Sequence, residues 1–506
     1  MKKITSLLLT AAFVIFLSCN QKKSSYEVPK IITVTGKVDN YDPNLQVSVS
    51  VKRIGLTQDD ITAKIDSAGN FIATFESYIP LDVVIGYKTN FWVLLHPGDS
   101  LFVQFDGKYN NRPELLSSID FKGNRAKTNQ YAAKFQQMYF SNEYSDSDKK
   151  NIAVKEYDVD QYLQYLDTIH QKSKELYNQF VAKHRPDDES KEWALLYIEA
   201  DYYNKIGWYA GDHRQANNMN WNNTWDVPKG FYDKLLNRLP IEQSMFISAY
   251  ALSYFCGIFD RYVTDNLRDR NTDNHWGVVP GGGILAPSEI IDSICIFSTI
   301  EFVHDPLLRQ LMLTRIFDRN FEKQNITAYE QFQDVAAEYI KEPFLKEPLY
   351  QKYLQVKSRI ENPQVYTEAL IREATNLSVN QIVDDILQKH RGKVIYVDFW
   401  ATWCGPCLAE LPNSKIIEHE FEDKDVVFIY ICLESDEKLW KASLDKFQLG
   451  GQHYLLSNKQ SAEIRKLFEI GGIPFYLLID KNGVIKEKGN HLRPLEVKNK
   501  VVSLLK

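Results

Sequence analysis

The feature that most constrains this chain is a pair of cysteines, Cys404 and Cys407, placed between two different sequence patterns. Before the pair lies the apolar run Val394–Phe399, which has the length and composition of a buried strand. After its first cysteine, Pro406–His419 has the pattern of a helix. A Cys-x-x-Cys unit that follows a strand and opens a helix is a redox arrangement, so a reactive dithiol is predicted at this junction.

The predicted chemistry of the pair depends on the helix that it opens. The first turn of a helix carries unpaired N–H groups and the positive end of the helix dipole, and both stabilise a thiolate. The pKa of Cys404 is therefore expected to fall from about 8.5 toward about 7, which makes it a nucleophile for disulfides. Cys407, one turn inside the helix, is placed to attack the resulting mixed disulfide and release the substrate. Pro406 fits the first turn, where its missing N–H costs no hydrogen bond.

The segments around the pair alternate between strand and helix patterns over residues 378–506, and the alternation predicts a mixed sheet covered on both faces. The predicted strands are Val394–Phe399, Val426–Leu433, Tyr454–Leu456, Phe475–Ile479 and Val484–Lys488. The predicted helices are Val379–Lys389, Pro406–His419, Glu437–Phe447, Ala462–Phe468 and Leu495–Leu505.

Three motifs in this region resemble a known family. Asp398–Cys407 reads Asp-Phe-Trp-Ala-Thr-Trp-Cys-Gly-Pro-Cys and resembles the active-site segment of the thioredoxin superfamily. Leu408–Pro412 resembles the TlpA/ResA-type periplasmic, membrane-tethered thiol–disulfide oxidoreductases. Gly472–Pro474 resembles the cis-proline loop that faces the cysteines in that fold. Two features depart from the family: Phe475 stands where threonine is common, and no β-hairpin is evident ahead of the first core strand.

The resemblance implies a thioredoxin-like α/β fold and a set of site residues, with no cofactor and no metal. It implies that Cys404 attacks, that Cys407 resolves, and that the acids Asp398 and Glu410 move the proton of the second cysteine. A carboxylate with a raised pKa is the form suited to that task. The residues that it implies for substrate binding are Trp403, Gly405, Pro406, Gly472, Ile473 and Pro474.

These residues also allow other interpretations. A zinc half-site needs a second cysteine pair, and Cys432, alone in an apolar run, is interpreted as a core residue. A thioredoxin-like domain without activity is a minor alternative, and a peroxiredoxin would not carry a partner three residues after its reactive cysteine. Without the resemblance, Asp398 is an ordinary polar residue at a strand end, and Glu410 lies equally well on a solvated helix face.

The N-terminus has the pattern of a bacterial lipoprotein signal. Residues 1–18 have a basic start and a short apolar run, and Phe16–Cys19 resembles a lipobox. Lipidated Cys19 would then anchor the chain, with residues 19–30 as a tether. Asn20 is not the aspartate linked to inner-membrane retention, so an outer-membrane anchor facing the periplasm is favoured. The alternative is a plain signal peptide with an incidental cysteine.

Two further domains are predicted between the tether and residue 378. Residues 31–123 have the short alternating strands of a small sandwich, including a hairpin at the turn Asp66–Asn70. Residues 124–377 have helical periodicity. In that domain Cys256 and Cys295 lie in apolar surroundings and are interpreted as buried thiols, with a disulfide between them as the lesser possibility.

The predicted function is reduction of protein disulfides in the periplasm. The Gly-Pro pair between the cysteines resembles thioredoxin, for which a potential of about −270 mV is typical, and this favours reduction over oxidation. The resemblance implies oxidised periplasmic proteins, such as apocytochromes, as substrates and a membrane thiol relay as electron donor. The formal net charge of −6 argues against a nucleic-acid partner. The alternative is a binding or scaffold lipoprotein whose redox domain is accessory, and such a protein would keep its phenotype without either cysteine.

Overall fold

The computed structural model describes residues 28–53, 55–141, 147–220, 223–233, 249–268, 276–280 and 283–505. The predicted signal peptide, the predicted lipidation site Cys19 and most of the tether lie outside these residues. The side chain of Cys256 also lies outside them, whereas Cys295 is a free, partly buried thiol, so the lesser possibility of a disulfide between the two is not supported. Within the described residues, no helix is both long enough and apolar enough to span a membrane.

The N-terminal region forms two four-stranded sheets whose facing sides share one apolar core. The strand orders are β4-β1-β7-β8 and β3-β2-β5-β6, and β1 alternates buried and partly exposed residues as expected for a strand with one covered face. The elements are β1 Lys30–Asp39, β2 Val47–Lys52, β3 Gln58–Ala63, β4 Asn70–Ser77, β5 Leu81–Gly86, β6 Asn90–Leu95, β7 Ser100–Asp106, α1 Arg112–Ser117 and β8 Asp120–Gly123.

The hairpin predicted at Asp66–Asn70 is wrong, although the turn itself is present. The Asp66 carboxylate accepts hydrogen bonds from the backbone N–H groups of Ala68 and Asn70, both at 2.8 Å. The strands on either side then separate, because β3 pairs with β2 in one sheet and β4 pairs with β1 in the other. The turn therefore connects two sheets, and the local sequence carries no signal that distinguishes this connection from a hairpin.

The middle of the chain is helical and contains a short hairpin. Its helices share the apolar core of the two sheets. The elements are α2 Ala126–Phe140, α3 Ser147–Glu156, α4 Val159–His184, α5 Asp188–Ala216, α6 Ala249–Leu267, β9 Gly277–Val279, β10 Gly283–Leu285, α7 Ser288–Phe302, α8 Pro306–Glu322, α9 Thr327–Gln331, α10 Gln333–Tyr339 and α11 Pro343–Glu361.

Helix α2 closes the edge of the second sheet with side-chain amides. The Asn129 amide accepts a hydrogen bond from the N–H of Leu94 at 2.7 Å and donates one to its carbonyl at 3.0 Å. The Gln136 amide makes the same pair of bonds with Trp92, both at 2.9 Å. Strand β6 would otherwise leave these backbone groups unpaired, so two amides take the place of a neighbouring strand.

The C-terminal region is a six-stranded mixed sheet with helices on both faces. The strand order is β11-β14-β13-β12-β15-β16, in which β15 runs antiparallel to both of its neighbours, β12 and β16, and the other neighbouring pairs are parallel. One strand, β11, precedes residue 378, so the sheet begins before the predicted domain boundary. The elements are β11 Leu370–Arg372, α12 Val379–Lys389, β12 Val394–Trp400, α13 Gly405–Glu420, β13 Val426–Cys432, α14 Glu437–Phe447, β14 Gln452–Leu455, α15 Asn458–Phe468, β15 Phe475–Ile479, β16 Ile485–Gly489 and α16 Pro494–Leu505.

This C-terminal region is held against the helical region by charged groups on α14. Lys446 Nζ lies 2.6 Å from a carboxylate oxygen of Glu322 and donates a hydrogen bond to the Glu322 carbonyl at 3.1 Å. Glu322 also pairs with Lys352, which donates to the hydroxyl of Thr57 in the β-sheet region at 2.7 Å. One network therefore joins all three regions of the chain.

Replacing Lys446 with alanine should loosen this attachment. The change removes two hydrogen bonds to Glu322 at the end of α8, so the free energy for opening α14 away from α8 should fall by about 1 to 3 kcal/mol. Amide hydrogen exchange of α14 and α8 in the full-length protein measures it. Lys441→Ala is the matched control, because Lys441 lies on the same helix and pairs with Glu437 one turn away. Equal exchange in the two variants would contradict the prediction.

Candidate active site

The two cysteines lie where strand β12 ends and helix α13 begins, and they form a disulfide with a Cα–Cα distance of 5.3 Å. Cys404 is the N-cap residue of α13, and its sulfur accepts the backbone N–H of Cys407 at 3.2 Å. Pro406 lies in the first turn of the helix. The local sequence therefore produces the predicted arrangement, in which Cys404 faces the unpaired N–H groups of a helix start.

The surface in front of the disulfide is open, although both sulfurs are largely covered. Cys404 is 4% exposed and Cys407 is 2% exposed, whereas Gly405, Pro406 and Gly472 are exposed. A Cβ added at Gly405 or Gly472 would meet no atom within 4 Å. The backbone of another chain could therefore approach the disulfide closely at these two glycines.

The loop predicted to face the cysteines does face them. The Ile473–Pro474 peptide bond is cis, and the Ile473 carbonyl oxygen lies 3.7 Å from the sulfur of Cys404. Ile473 is partly exposed and Pro474 is buried. Sequence positions 69 residues apart thus meet at one sulfur atom.

Trp403 forms one side of this surface and is held by residues that the sequence did not indicate. Its side chain is 49% exposed, and its indole N–H donates to the Glu434 carbonyl at 2.9 Å. The Glu434 carboxylate is itself bound by the guanidinium of Arg465 at 2.8 and 3.2 Å. These contacts fix the backbone that orients Trp403. They join segments so far apart in the sequence that no local sequence pattern predicts the contact.

Asp398 lies beneath the disulfide, on the sheet face that α13 covers. Tyr396 and Trp400 belong to the apolar cluster that also contains both cysteines, and strand alternation places Asp398 on the same face between them. Asp398 is 2% exposed, and its Oδ1 atom has no hydrogen-bond partner. Burial, with a further contribution from the charge of Glu410, raises the pKa of Asp398 well above its usual value. A carboxylate in this setting is a stronger base than an exposed one, so its ionised form can take the proton of a neighbouring thiol.

Tyrosines stand beside Asp398 on both neighbouring strands. Tyr430 on β13 and Tyr476 on β15 are its partners in register. The hydroxyl of Tyr430 donates to Glu418 at 2.8 Å, and burial raises the pKa of Glu418 to about 7. None of these three residues stands out in the sequence alone, although the two tyrosines lie on predicted strands.

Glu410 is mostly covered and has two side-chain partners. It lies one turn beyond Cys407 with a side chain that is 14% exposed, and it forms an ion pair with Arg493. Its other oxygen accepts a hydrogen bond from the amide of Asn413 at 2.9 Å. The interpretation as a fully solvated residue does not hold, because the side chain is mostly covered, but the carboxylate has a cationic partner that sequence analysis missed.

Cys432 is the third cysteine near the site and is fully buried. Burial raises the pKa of its thiol to about 12. The thiol is therefore protonated at neutral pH, which agrees with the interpretation of Cys432 as a core residue. Among the described residues, no group of three or more His, Cys, Asp or Glu side chains is arranged to hold a metal ion.

Comparison with known proteins gives one consistent assignment for this region. The Redoxin family profile matches residues 381–502. The thiol–disulfide oxidoreductase ResA of Oceanobacillus iheyensis is 28% identical over 120 residues, which are 22% of this chain and 61% of that protein. The thioredoxin-like protein YneN of Bacillus subtilis strain 168 is 31% identical over 103 residues, which are 20% of this chain and 58% of that protein.

The chain thus spans about three fifths of the length of these two relatives. Among solved structures, the thioredoxin domain of a thiol–disulfide oxidoreductase from Bacteroides vulgatus is 26% identical, with a TM-score of 0.22. It aligns with 24% of this chain and 84% of its own. The C-terminal quarter of the chain is a redoxin-family domain related to the ResA thiol–disulfide oxidoreductases.

Proposed function

We propose that this protein reduces disulfide bonds of other proteins through the dithiol form of Cys404 and Cys407. The observation that carries the proposal is the position of Cys404, which lies between the N–H groups of a helix start and the carbonyl of the partly exposed Ile473. A thiolate there is stabilised by the helix, and a peptide backbone can bind beside it. The relationship to ResA proteins supports the same chemistry.

The reaction proceeds in two exchange steps. In the reduced protein, the Cys404 thiolate attacks one sulfur of the substrate disulfide, forms a mixed disulfide, and displaces the other substrate sulfur as a thiolate. The proton of Cys407 passes to the ionised form of Asp398, and the Cys407 thiolate then attacks the Cys404 sulfur. The second substrate thiolate leaves, so the substrate gains two electrons and the protein is left with the disulfide seen in this structure. A thiol donor returns it to the dithiol form.

The exposed residues around the disulfide provide the binding surface. An extended substrate segment would pair its backbone with Ile473, next to Pro474, and pass the exposed Gly472. Trp403 would pack against the segment from the other side, beside Gly405 and Pro406. Because these contacts are with backbone and apolar surface, we expect many oxidised proteins to be substrates. In the periplasm, apocytochromes would be among them.

Reduction of insulin disulfides by the full-length protein, with dithiothreitol as donor, tests this proposal. Insulin precipitates when its chains separate, so turbidity follows the reaction. The rate should rise in proportion to protein concentration above the rate with dithiothreitol alone. A rate that does not change with protein concentration would refute the proposal.

We also propose that the reaction takes place at a membrane surface facing the periplasm, where a membrane thiol relay supplies electrons. The sequence Phe16–Cys19 supports this location, and Cys19 would carry the lipid. Cys19→Ala should move most of the protein from the membrane fraction to the soluble periplasmic fraction, because the acyl chains supply the anchor. Immunoblots of the two fractions measure this. Ser18→Thr is a control that keeps the cysteine. An equal membrane share in wild type and Cys19→Ala would refute the anchor.

A further inference from the structure

An ion pair joins the helix of the active site to the last helix of the chain. Arg493 immediately precedes α16, and one of its guanidinium nitrogens contacts Glu410 on α13. The Glu410 side chain is 14% exposed and that of Arg493 is 40% exposed, so the acid is covered and the cation reaches it from the surface. These residues are 83 positions apart in the sequence.

The backbone around Arg493 is fixed on both sides. Its carbonyl accepts the N–H groups of Glu496 and Val497 at 2.9 Å, which ties it to the first turn of α16. The preceding residue, Leu492, is fully buried, and its carbonyl accepts the hydroxyl of Tyr396 at 2.6 Å. Tyr396 lies on β12 two residues before Asp398. The position of the guanidinium is therefore linked directly to the strand that carries the buried acid.

The two acids near the disulfide have opposite surroundings. Asp398 is buried and its Oδ1 atom has no hydrogen-bond partner, whereas Glu410 has a guanidinium and an amide as partners. Burial disfavours the charged form of Asp398, whereas the Glu410 carboxylate has a counter-charge in Arg493. Without a counter-charge, ionised Glu410 would disfavour both the Cys404 thiolate and the ionised form of Asp398.

We propose that Arg493 is a positioning residue for the disulfide exchange: it holds the Glu410 carboxylate in place and cancels its charge beside Asp398 and the two cysteines. The inference rests on the proposed function, since it concerns the same site. It goes beyond that function by assigning the charge balance of the site to a residue outside the active-site motifs. Because Glu410 is covered and Arg493 reaches it from the surface, Arg493 can neutralise the Glu410 charge without blocking the surface in front of the disulfide.

Other charged and titratable groups also face this cluster, and a test must account for them. The groups around Asp398 are Tyr430 and Cys432 on β13, Tyr476 on β15, Tyr396 on its own strand and Glu410 on α13. The groups around Arg493 are Glu410, Tyr476 and Glu496. Burial raises the pKa of these tyrosines and of Cys432, so these groups stay uncharged near neutral pH and add no charge to the comparison between variants.

The test measures the rate of Cys404 alkylation by iodoacetamide as a function of pH in the reduced full-length protein. Arg493→Gln leaves the charge of Glu410 uncompensated, so the apparent pKa of alkylation should rise by about 0.5 to 1 unit. Arg493→Lys keeps the charge and should restore most of the wild-type profile. Glu410→Gln should shift the apparent pKa downward, and Glu410→Gln combined with Arg493→Gln should return it to near the wild-type value.

Lys498→Gln is the matched control for a purely structural effect. Lys498 lies one turn further along α16 and pairs with Glu420 on α13 at 2.8 Å, so it joins the same two helices away from the cysteines. It should leave the alkylation profile unchanged. The inference is refuted if Arg493→Gln and Lys498→Gln give the same profile, or if the double variant keeps the full shift of Arg493→Gln. Alkylation needs no substrate disulfide, so the test decides the inference even where insulin reduction fails.

Discussion

Cys404→Ser should reduce insulin disulfides no faster than the dithiol donor alone. The serine hydroxyl is not ionised at neutral pH, so the helix start at Gly405 has no thiolate to stabilise. Because no first exchange can occur, the loss should be complete to the limit of the turbidity assay, a decrease of at least about 100-fold. Cys407→Ser should differ in kind: its Cys404 still attacks, but no thiol resolves the product, and mixed disulfides with substrates should accumulate.

Cys432→Ala is the matched control for the loss of a cysteine in this core. Cys432 is buried in the same apolar cluster as Cys404 and Cys407, but its thiol is protonated and unexposed. The variant should keep the wild-type rate wherever it folds, which circular dichroism would establish. Activity of Cys404→Ser equal to wild type, or its loss in folded Cys432→Ala, would place the nucleophile elsewhere.

The parts of the site set by local sequence could be predicted, because strand, turn and helix start follow one another within a few residues. The position of Cys404 at the start of α13 and the placement of Cys407 one turn later both depend on such short-range rules. The Ile473–Pro474 loop was located only through resemblance, since no local pattern indicates which loop will face a sulfur 69 residues away.

The charged contacts around the site could not be predicted in the same way. Arg493 reaches Glu410, and Arg465 reaches Glu434, only after the helices have packed on the sheet. Surface arginines are common and their partners are not encoded by spacing along the chain. The turn at Asp66–Asn70 shows the same limit for strands, because pairing partners depend on sheet assembly rather than on the turn.

The way in which the redox domain packs against the helical region could not be predicted from sequence patterns either. Lys446 lies on a predicted helix, and Glu322 lies within the predicted helical domain. Their contact, however, depends on how the two domains dock. The network through Lys352 to Thr57 gives the C-terminal region a defined place against the helices. We therefore expect the upstream regions to orient the disulfide toward its partners rather than serve only as a flexible spacer.

Asp398→Asn should slow the second exchange and at the same time stabilise the fold. Loss of the proton acceptor for Cys407 should lengthen the life of the mixed disulfide, and turnover should fall by about 100-fold, a usual contribution of acid–base catalysis. Cys404 alkylation should change much less, because the first cysteine is activated by the helix start. Quenched-flow trapping of the mixed disulfide measures the step directly. Asp423→Asn, at an exposed position after α13, is the control.

The stabilisation follows from the direction in which the pKa of Asp398 is displaced. Burial and the charge of Glu410 raise that pKa in the folded protein, so above about pH 4 the unfolded chain releases a proton that the folded protein retains. The folded state then binds more protons than the unfolded state, and stability falls as pH rises toward the folded pKa. Each unit between the two pKa values costs about 1.4 kcal/mol.

Asparagine removes this cost, so the gain in stability should be near zero at pH 4 and should exceed about 1 kcal/mol at pH 8. Hydrogen exchange of the β12 amides in the oxidised full-length proteins, corrected for intrinsic exchange, measures the difference at both pH values. A gain of equal size at pH 4 and pH 8 would show that packing, rather than ionisation, is responsible. Slower turnover with no gain at pH 8 would mean that burial does not raise the pKa of Asp398.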